Sequence, residues 1–323
     1  MAVLILNQHE VEELLDMEGC IDAMAEALAA LAREELSQPL RYVFAPPGQG
    51  NLIGLMPAHR AGAGAAYSLK TVCVFPENPK RGLDAHQGTV TLFDGETGEV
   101  RALLNASAVT AIRTAAVSGV ATRLLAREDA RTLGILGGGV QAHTHLDAMR
   151  AVRDFEQIRV YSPTREHAEA VAERAPEAEA VATAEEAVAG ADVVVTATNA
   201  TAPVLELGWL EAGAHVNSIG GRPPRMRELD PGTIAAASFY VDRRESTENE
   251  AADYRDALEQ GAIGPDHIRG EIGEVLIGSR PGRQSPDELT VFRSMGLAVE
   301  DLAAAEYVVR RAEQAGRGTT VEF

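Results

Sequence analysis

Lysine is almost absent from these 323 residues: Lys70 and Lys80 are the only two among 29 basic side chains, and all the others are arginine. Basic charge is also short overall, because 48 Asp and Glu leave a formal net charge of -19. An acidic excess of that size repels phosphate backbones and anionic lipid, so no nucleic acid and no membrane surface is expected as a partner. Small molecules are the expected ligands. Cysteine is limited to Cys20 and Cys73, too few for a disulfide framework and without the spacing of a zinc site. No metal is expected. Aromatic residues make up only 4%, and no apolar run approaches the roughly 20 residues that span a bilayer. The opening stretch, residues 1–15, passes from a short apolar run to acid with neither a basic n-region nor a small-residue cleavage site. A cytoplasmic location is therefore expected.

What is present is globular: 46% of residues are hydrophobic, and the length exceeds what one core of roughly 250 residues serves, so two domains are expected. From Asn7 to Leu36 apolar residues recur at helical spacing, Asn7 and Glu10 resemble a capping box, and a break is expected near Gly19. Residues 41–44, 52–56, 68–75 and 89–93 read as β-runs, with a hairpin turn over 93–100, and 106–127 reads as an Ala-rich helix. From Arg131 the texture changes to alternating strands (132–136, 157–161, 192–198, 215–219) and helices. That alternation implies a parallel sheet with helices on both faces. A further strand is expected at 239–242, then a charged tail from Ser285 that closes in a helix over 297–315.

The sharpest local signal is Gly137-Gly138-Gly139-Val140-Gln141-Ala142, a G-x-G-x-x-A pattern after a strand and before a helix. In a dinucleotide site Gly137 permits the tight turn, Gly139 lets backbone approach a pyrophosphate and Ala142 keeps helix against sheet. The first-turn amides of Val140 and Gln141 then face the phosphates. Cofactor choice is read at the end of the second strand, where Tyr161-Ser162-Pro163-Thr164-Arg165 offers no acid for a ribose hydroxyl. Ser162, Thr164 and Arg165 suit a 2′-phosphate, so NADP(H) is favoured over NAD(H). Thr198, ending the third strand, is a further cofactor-side position. In the first third, Lys70 lies inside an apolar strand, where an amine is costly unless paired or functional. Arg41 and Arg113 lie in similar surroundings and suit a carboxylate. His143 and His145 stand two apart on a helix and point away from each other, which reads as packing rather than metal ligation. Ser118 lacks a nucleophile-elbow context.

Five stretches resemble, in order, the ornithine cyclodeaminase and mu-crystallin family: 82–98, Ala111-Ile-Arg-Thr-Ala-Ala-Val-Ser118, 137–142, Arg227-Glu-Leu-Asp230 and Phe292-Arg-Ser-Met-Gly-Leu-Ala-Val-Glu-Asp301. The similarity runs from about residue 5 to about residue 315. It implies an α/β fold: a Rossmann doubly wound parallel sheet over 120–301, and an α+β substrate and dimerisation domain from 1–119 and 302–323. It also implies a homodimer. Carried over by position, Arg41, Lys70 and Arg113 gather the substrate carboxylate and the reacting nitrogen or carbonyl. Asp230 handles protons at the α-nitrogen, Thr114 contacts cofactor, and His86 and Gln87 line the substrate. Cyclodeaminases carry a Glu before Leu-Met-Pro, resembling a clamp for a distal amine, whereas here that position is Gly54.

The expected activity is NAD(P)H-dependent hydride transfer at the C–N bond of a small imino or amino acid, as in a ketimine reductase. Lys70 is expected to polarise the substrate or deliver a proton, with its pKa lowered by neighbouring Arg and partial burial. The alternatives are alanine dehydrogenase-like amination of pyruvate, ornithine cyclodeamination, and a binding protein that sequesters cofactor or a small ligand.

Overall fold

The computed structural model describes residues 2–220 and 226–322. The chain divides into two compact units, one of residues up to Arg113 together with Gly296 onward, the other Thr114–Met295. The boundaries expected from sequence, 119/120 and 301/302, fall six residues later at each cut. The physical reason is a pair of acids, Glu300 and Asp301, whose salt bridges run to Lys70 and Arg113.

The first unit begins with β1 (Ala2–Leu6), α1 (Gln8–Leu14) and α2 (Met17–Ala32). The Asn7 side chain accepts from the Glu10 amide at 3.0 Å and Glu10 accepts from the Asn7 amide at 2.9 Å, so the capping box starts α1 as expected. The helix break lies at Asp16 rather than near Gly19. Asp16 caps α2 by accepting from the Gly19 amide at 2.8 Å, which places Gly19 inside that helix, where the Tyr307 hydroxyl occupies the space of a Cβ.

Strands β2 (Leu36–Ser37), β3 (Tyr42–Phe44), β4 (Leu52–Arg60), β5 (Ala66–Val74), β6 (His86–Asp94) and β7 (Val100–Asn105) follow, then helix α3 (Ala106–Leu125), within which the unit boundary falls. The expected β6–β7 hairpin is present, its turn held by the Asp94 carboxylate accepting from the amides of Glu96 and Thr97.

The second unit carries β8 (Thr132–Leu136), α4 (Val140–Arg150), β9 (Gln157–Tyr161), α5 (Arg165–Ala172), β10 (Ala178–Ala180), α6 (Ala184–Val188), β11 (Val193–Thr196) and β12 (His215–Ser218). It continues with α7 (Pro231–Ala236), β13 (Ser238–Val241), α8 (Arg244–Glu250), α9 (Ala252–Glu259), β14 (Ile268–Glu271), α10 (Ile272–Leu276) and β15 (Thr290–Arg293). The chain ends in the first unit with α11 (Ala298–Ala315) and β16 (Thr319–Glu322).

In the first unit the sheet order is β16-β1-β7-β6-β5-β4-β2, with β3 beside β4. Among the described residues only the β1–β7 pair of this sheet is parallel. Alternation along β5 sends Ala66, Ser68, Lys70 and Val72 to the buried face, and β6 contributes Val90 and Leu92. Helix α11 packs across β4, β5 and β6 on that face and is backed by α2. The same alternation makes Lys70 an inward-pointing residue.

The second unit is an all-parallel sheet of order β10-β9-β8-β11-β12-β15-β13-β14. Right-handed crossovers place α4 and α5 on one face, and α6, which carries the chain past β8 to β11, on the other. The order reverses between β8 and β11, and a crevice at the carboxyl ends of the strands opens where an order reverses. This is the doubly wound sheet expected from sequence. Strand β15 lies within the stretch that the sequence makes a charged tail. It is central and wholly buried, and its Arg293 is neutralised by Asp253 at 3.2 Å, both side chains being inaccessible. Among the described residues no helix is long and apolar enough to cross a membrane.

Two buried histidines tie this unit together. His145 sits between the Ser118 hydroxyl, 2.9 Å from its Nε2, and the Gln141 carbonyl, 2.7 Å from its Nδ1. His215 meets Thr290 Oγ1 at 2.9 Å. Ser118 and His145 are fully enclosed, which is packing and not a nucleophile pair. Burial pushes the imidazoles down, to about 4 for His145 and about 3 for His215, where Arg283 adds to the effect. In an unfolded chain histidine titrates at about 6.5. The stability gained by keeping these rings neutral is therefore complete above about 6.5 and is lost as pH falls toward the folded values. The free energy of unfolding in urea is expected to be level from about pH 8 to 7 and to fall below about pH 6, by on the order of 3 kcal/mol per histidine at pH 4, with the midpoint moving in step. A midpoint unchanged between pH 7 and 5 would rule this assignment out.

Candidate active site

Lys70 is 1% exposed, and its Nζ lies 2.9 Å from Asp301 Oδ1, 2.8 Å from Oδ2 and 3.3 Å from Thr110 Oγ1. Arg113, also 1% exposed, donates from Nε to Asp301 Oδ1 at 3.0 Å and from Nη1 to Glu300 Oε2 at 2.7 Å. Two cations and two carboxylates thus form one buried cluster in the first unit. Leaving either sign without the other would cost several kcal/mol. Burial would push the Asp301 carboxyl up, but Lys70 and Arg113 outweigh it and hold that carboxyl below the usual range. A depressed carboxyl stabilises above its unfolded pKa and gives that up only as pH falls through the lower folded one. The cluster is thus intact throughout neutral pH. The sequence leads one to expect neighbouring Arg and partial burial to govern Lys70; in the structure both oxygens of Asp301 also contact its ammonium, at 2.9 and 2.8 Å.

The stretch Gly296-Leu-Ala-Val-Glu-Asp301 builds this arrangement. Gly296 has φ +72, and a Cβ there would come within 2.6 Å of the Arg113 guanidinium, so both conformation and space demand glycine. Leu297 starts α11, and its amide donates to Glu300 Oε2 at 3.0 Å. The same oxygen therefore caps the helix and holds Arg113. Arg41, half-buried ahead of β3, donates from Nη2 to the Gly296 carbonyl at 2.8 Å. Arg41, Lys70 and Arg113 are thereby brought together through one short segment. Sequence reasoning missed the roles of Glu300 and Asp301. Their signal is a pair of adjacent acids in the apolar, Ala-rich first half of a helix, in a chain that also places two cations in apolar surroundings.

His86 and Gln87 open β6, opposite Val74 and Cys73 of β5. Being consecutive on a strand they point to opposite faces. Only His86 shares the Lys70 face, four residues and about 13 Å along the strand from the Val90 position opposite Lys70. Gln87 is exposed and donates to the Asp84 carbonyl at 3.1 Å. Gly54 pairs with Val72, and a Cβ there would touch Val72 Cγ1 at 3.4 Å, so the position supplies no carboxylate to a distal amine.

In the second unit, Gly137 has φ +142, and a Cβ would lie 2.5 Å from the Ala197 carbonyl. Gly139, the N-cap of α4, has an ordinary φ of -94°, and a Cβ there would meet no atom of the described residues within 4 Å. One glycine is thus required by the fold, and the other leaves a cradle in front of a helix N-terminus. Within α4 the amides of Val140 and Gln141 have no preceding carbonyl to bond, and Ala142 is fully buried against the sheet. These features fit a dinucleotide pyrophosphate. Thr114 is buried directly after Arg113, and Ser162 Oγ lies 3.0 Å from where a Gly138 Cβ would be. Thr164 caps α5 through its backbone, and Arg165, exposed, pairs with Glu169 at 2.7 Å.

The sequence matches the ornithine cyclodeaminase/mu-crystallin family over residues 1–316. The chain belongs to this family. It is 38% identical to a Delta(1)-pyrroline-2-carboxylate reductase of Bacillus cereus, over 99% of this chain and 100% of that one. The solved Thermococcus litoralis Delta(1)-pyrroline-2-carboxylate reductase, in complex with NADH and L-proline, superposes with a TM-score of 0.95 at 35% identity, covering 99% and 100% of the two chains. An archaeal alanine dehydrogenase dimer with bound NAD superposes at 0.93 and 33%, covering both chains completely.

The Asp230 carboxylate is occupied as the N-cap of α7: Oδ1 accepts from the amides of Gly232 and Thr233 at 2.7 and 3.1 Å, and Oδ2 from the Thr233 hydroxyl at 2.5 Å. The carboxylate turned toward the strand ends is its neighbour Glu228, fully buried and bonded to Thr198. Among the described residues no group of His, Cys, Asp and Glu is arranged to hold a metal.

Proposed function

We propose that this protein reduces the C=N bond of a small cyclic or α-imino acid with a nicotinamide dinucleotide, and catalyses the reverse oxidation of the amino acid. The observation that carries the reading is the buried Lys70–Asp301–Arg113–Glu300 cluster, a costly charge set that apolar residues would replace if it served packing alone. When bound, the cofactor supplies the hydride. Arg41, beside this cluster, aligns the substrate carboxylate, and Arg113 fixes its surroundings. Lys70 holds a proton at the substrate nitrogen, and Asp301 keeps the ammonium in place. Gly139 and the first turn of α4 hold the pyrophosphate, with Thr114, Ser162, Thr164 and Thr198 as further cofactor contacts.

The relatives whose structures contain NADH or NAD support a nicotinamide cofactor, and within that class we favour NADP(H). The exposed Arg165–Glu169 pair, four apart on a helix, is worth only about 0.3–0.5 kcal/mol, so Arg165 can leave it for a 2′-phosphate. Tyr42, Val43, Phe44 and Tyr67, all exposed apolar side chains of the first unit, support a homodimer, as does the dimeric archaeal relative.

The test is an absorbance assay of both reduced cofactors with cyclic imines, with pyruvate plus ammonia, and with ornithine. Cyclic imine turnover without ammonia is expected, and Arg165→Ala should raise the KM for NADPH about tenfold with that for NADH unchanged. Turnover of pyruvate only with ammonia would favour alanine dehydrogenase, the reading its 0.93 structural match supports. Ammonia released from ornithine would favour cyclodeamination, and binding without any turnover would favour sequestration.

A further inference from the structure

Glu228 is fully buried, yet no Lys, Arg or His among the described residues pairs with it; five neutral donors do. Its Oε1 accepts the amide and the hydroxyl of Thr198 at 2.6 and 2.8 Å. Its Oε2 accepts the hydroxyls of Thr196 and Ser218 at 2.7 and 3.0 Å and the Gly220 amide at 2.8 Å. Thr196 and Ser218 are the last residues of β11 and β12, so this carboxyl sits at the carboxyl ends of two adjacent parallel strands.

Those strands do not need it. Thr196 and Ser218 are already partners in the ladder, and the segment bearing Glu228 is anchored by its own backbone. The amides of Val204 and Leu205 donate to the Glu228 carbonyl at 2.9 and 3.3 Å, and the Arg227 amide donates to the Ala200 carbonyl at 2.9 Å. What the side chain alone does is fix two groups beyond the ladder, Thr198 and Gly220. It does so tightly: a Cβ on Gly220 would lie 2.1 Å from the Thr198 carbonyl and 2.3 Å from Glu228 Oε1.

The strand order says what lies there. In a sheet ordered β10-β9-β8-β11-β12, the adenosine ribose is read at the end of β9 and the pyrophosphate rests on the turn after β8. The remaining half of a dinucleotide then extends toward β11 and β12. We infer that Glu228 is a positioning residue that sets Thr198 and Gly220 to receive the nicotinamide half of the cofactor. The inference rests on the dinucleotide reading proposed above.

Glu228→Gln keeps the volume but turns an amide donor toward groups that are themselves donors. Calorimetry on the purified full chain would measure whichever reduced cofactor the unaltered protein binds more tightly, and the matching adenosine half: ADP for NADH, 2′-phosphorylated ADP for NADPH. The variant is expected to bind the whole cofactor at least about tenfold more weakly, about 1.4 kcal/mol, with the adenosine half within twofold. Parallel weakening of both ligands would make Glu228 a purely structural residue and overturn the inference, as would an unchanged cofactor affinity. Should Glu228→Gln not fold, Ser218→Ala removes one of the five donors; about threefold weaker cofactor with the adenosine half unchanged is expected, and the same two results overturn it. An unaltered protein that binds neither ligand would instead fail the dinucleotide reading itself, and the inference with it.

Discussion

A Lys70→Met variant is expected to reduce its imine at least about 100-fold more slowly, near the lower end of what a positioned proton donor contributes and equal to about 2.7 kcal/mol of barrier. It is also expected to lose about 3 kcal/mol of stability, because removing one member of a buried ion pair strands the other. The two losses have different origins and can be separated. Asp301 keeps only Arg113 in the single variant, so the excess negative charge is the destabilising element. Adding Asp301→Asn removes that charge and leaves Met beside a neutral amide. The double variant should regain much of the lost denaturation midpoint while kcat stays low. Recovery of kcat together with stability would show that Lys70 only packs, and so would a single variant whose kcat stays within about threefold, under roughly 0.7 kcal/mol of barrier.

The cations of this cluster were legible before their partners, for a physical reason. Lys70 stands out locally: an amine within an apolar strand, in a chain that otherwise uses arginine. Asp301 does not, since acids are abundant here and an acid in the first helical turn is ordinary capping chemistry. Its role depends on α11 lying across β5, a contact between residues 231 positions apart. Glu228 was hidden for the same reason, as its five donors come from strand ends and loops that only the folded sheet assembles. Asp230 stands out in the sequence because it closes the Arg227–Asp230 stretch, and in the structure its carboxylate also caps α7. In the alternating half of the fold β8, β9, β11, β12 and β13 were readable as apolar runs, but β10, the three residues Ala178–Ala180, was not. Nor was β15, four residues that follow directly on the charged stretch from Ser285, with an Arg293 that is buried only because Asp253 lies beside it. The polar β16 has all four residues exposed and hence no alternation to find.

Gly139→Ala is the substitution expected to separate fold from ligand most cleanly. Neighbouring Gly137 cannot serve, since its positive φ and the Ala197 carbonyl make any side chain disruptive to the turn itself. Gly139 has a φ that alanine adopts freely and, among the described residues, no atom within 4 Å of the added methyl. Where the native backbone suits alanine, the exchange stabilises by about 0.4–1 kcal/mol, through the lower entropy of the unfolded chain. The denaturation midpoint should therefore hold or rise. Cofactor affinity should fall by at least about 30-fold, roughly 2 kcal/mol, because the methyl stands where the pyrophosphate must approach the backbone. With imine saturating and cofactor limiting, kcat/KM for the cofactor should fall in proportion. A variant as stable as expected that still bound cofactor normally would place the dinucleotide elsewhere, and the glycine turn would then be only a tight connection between β8 and α4.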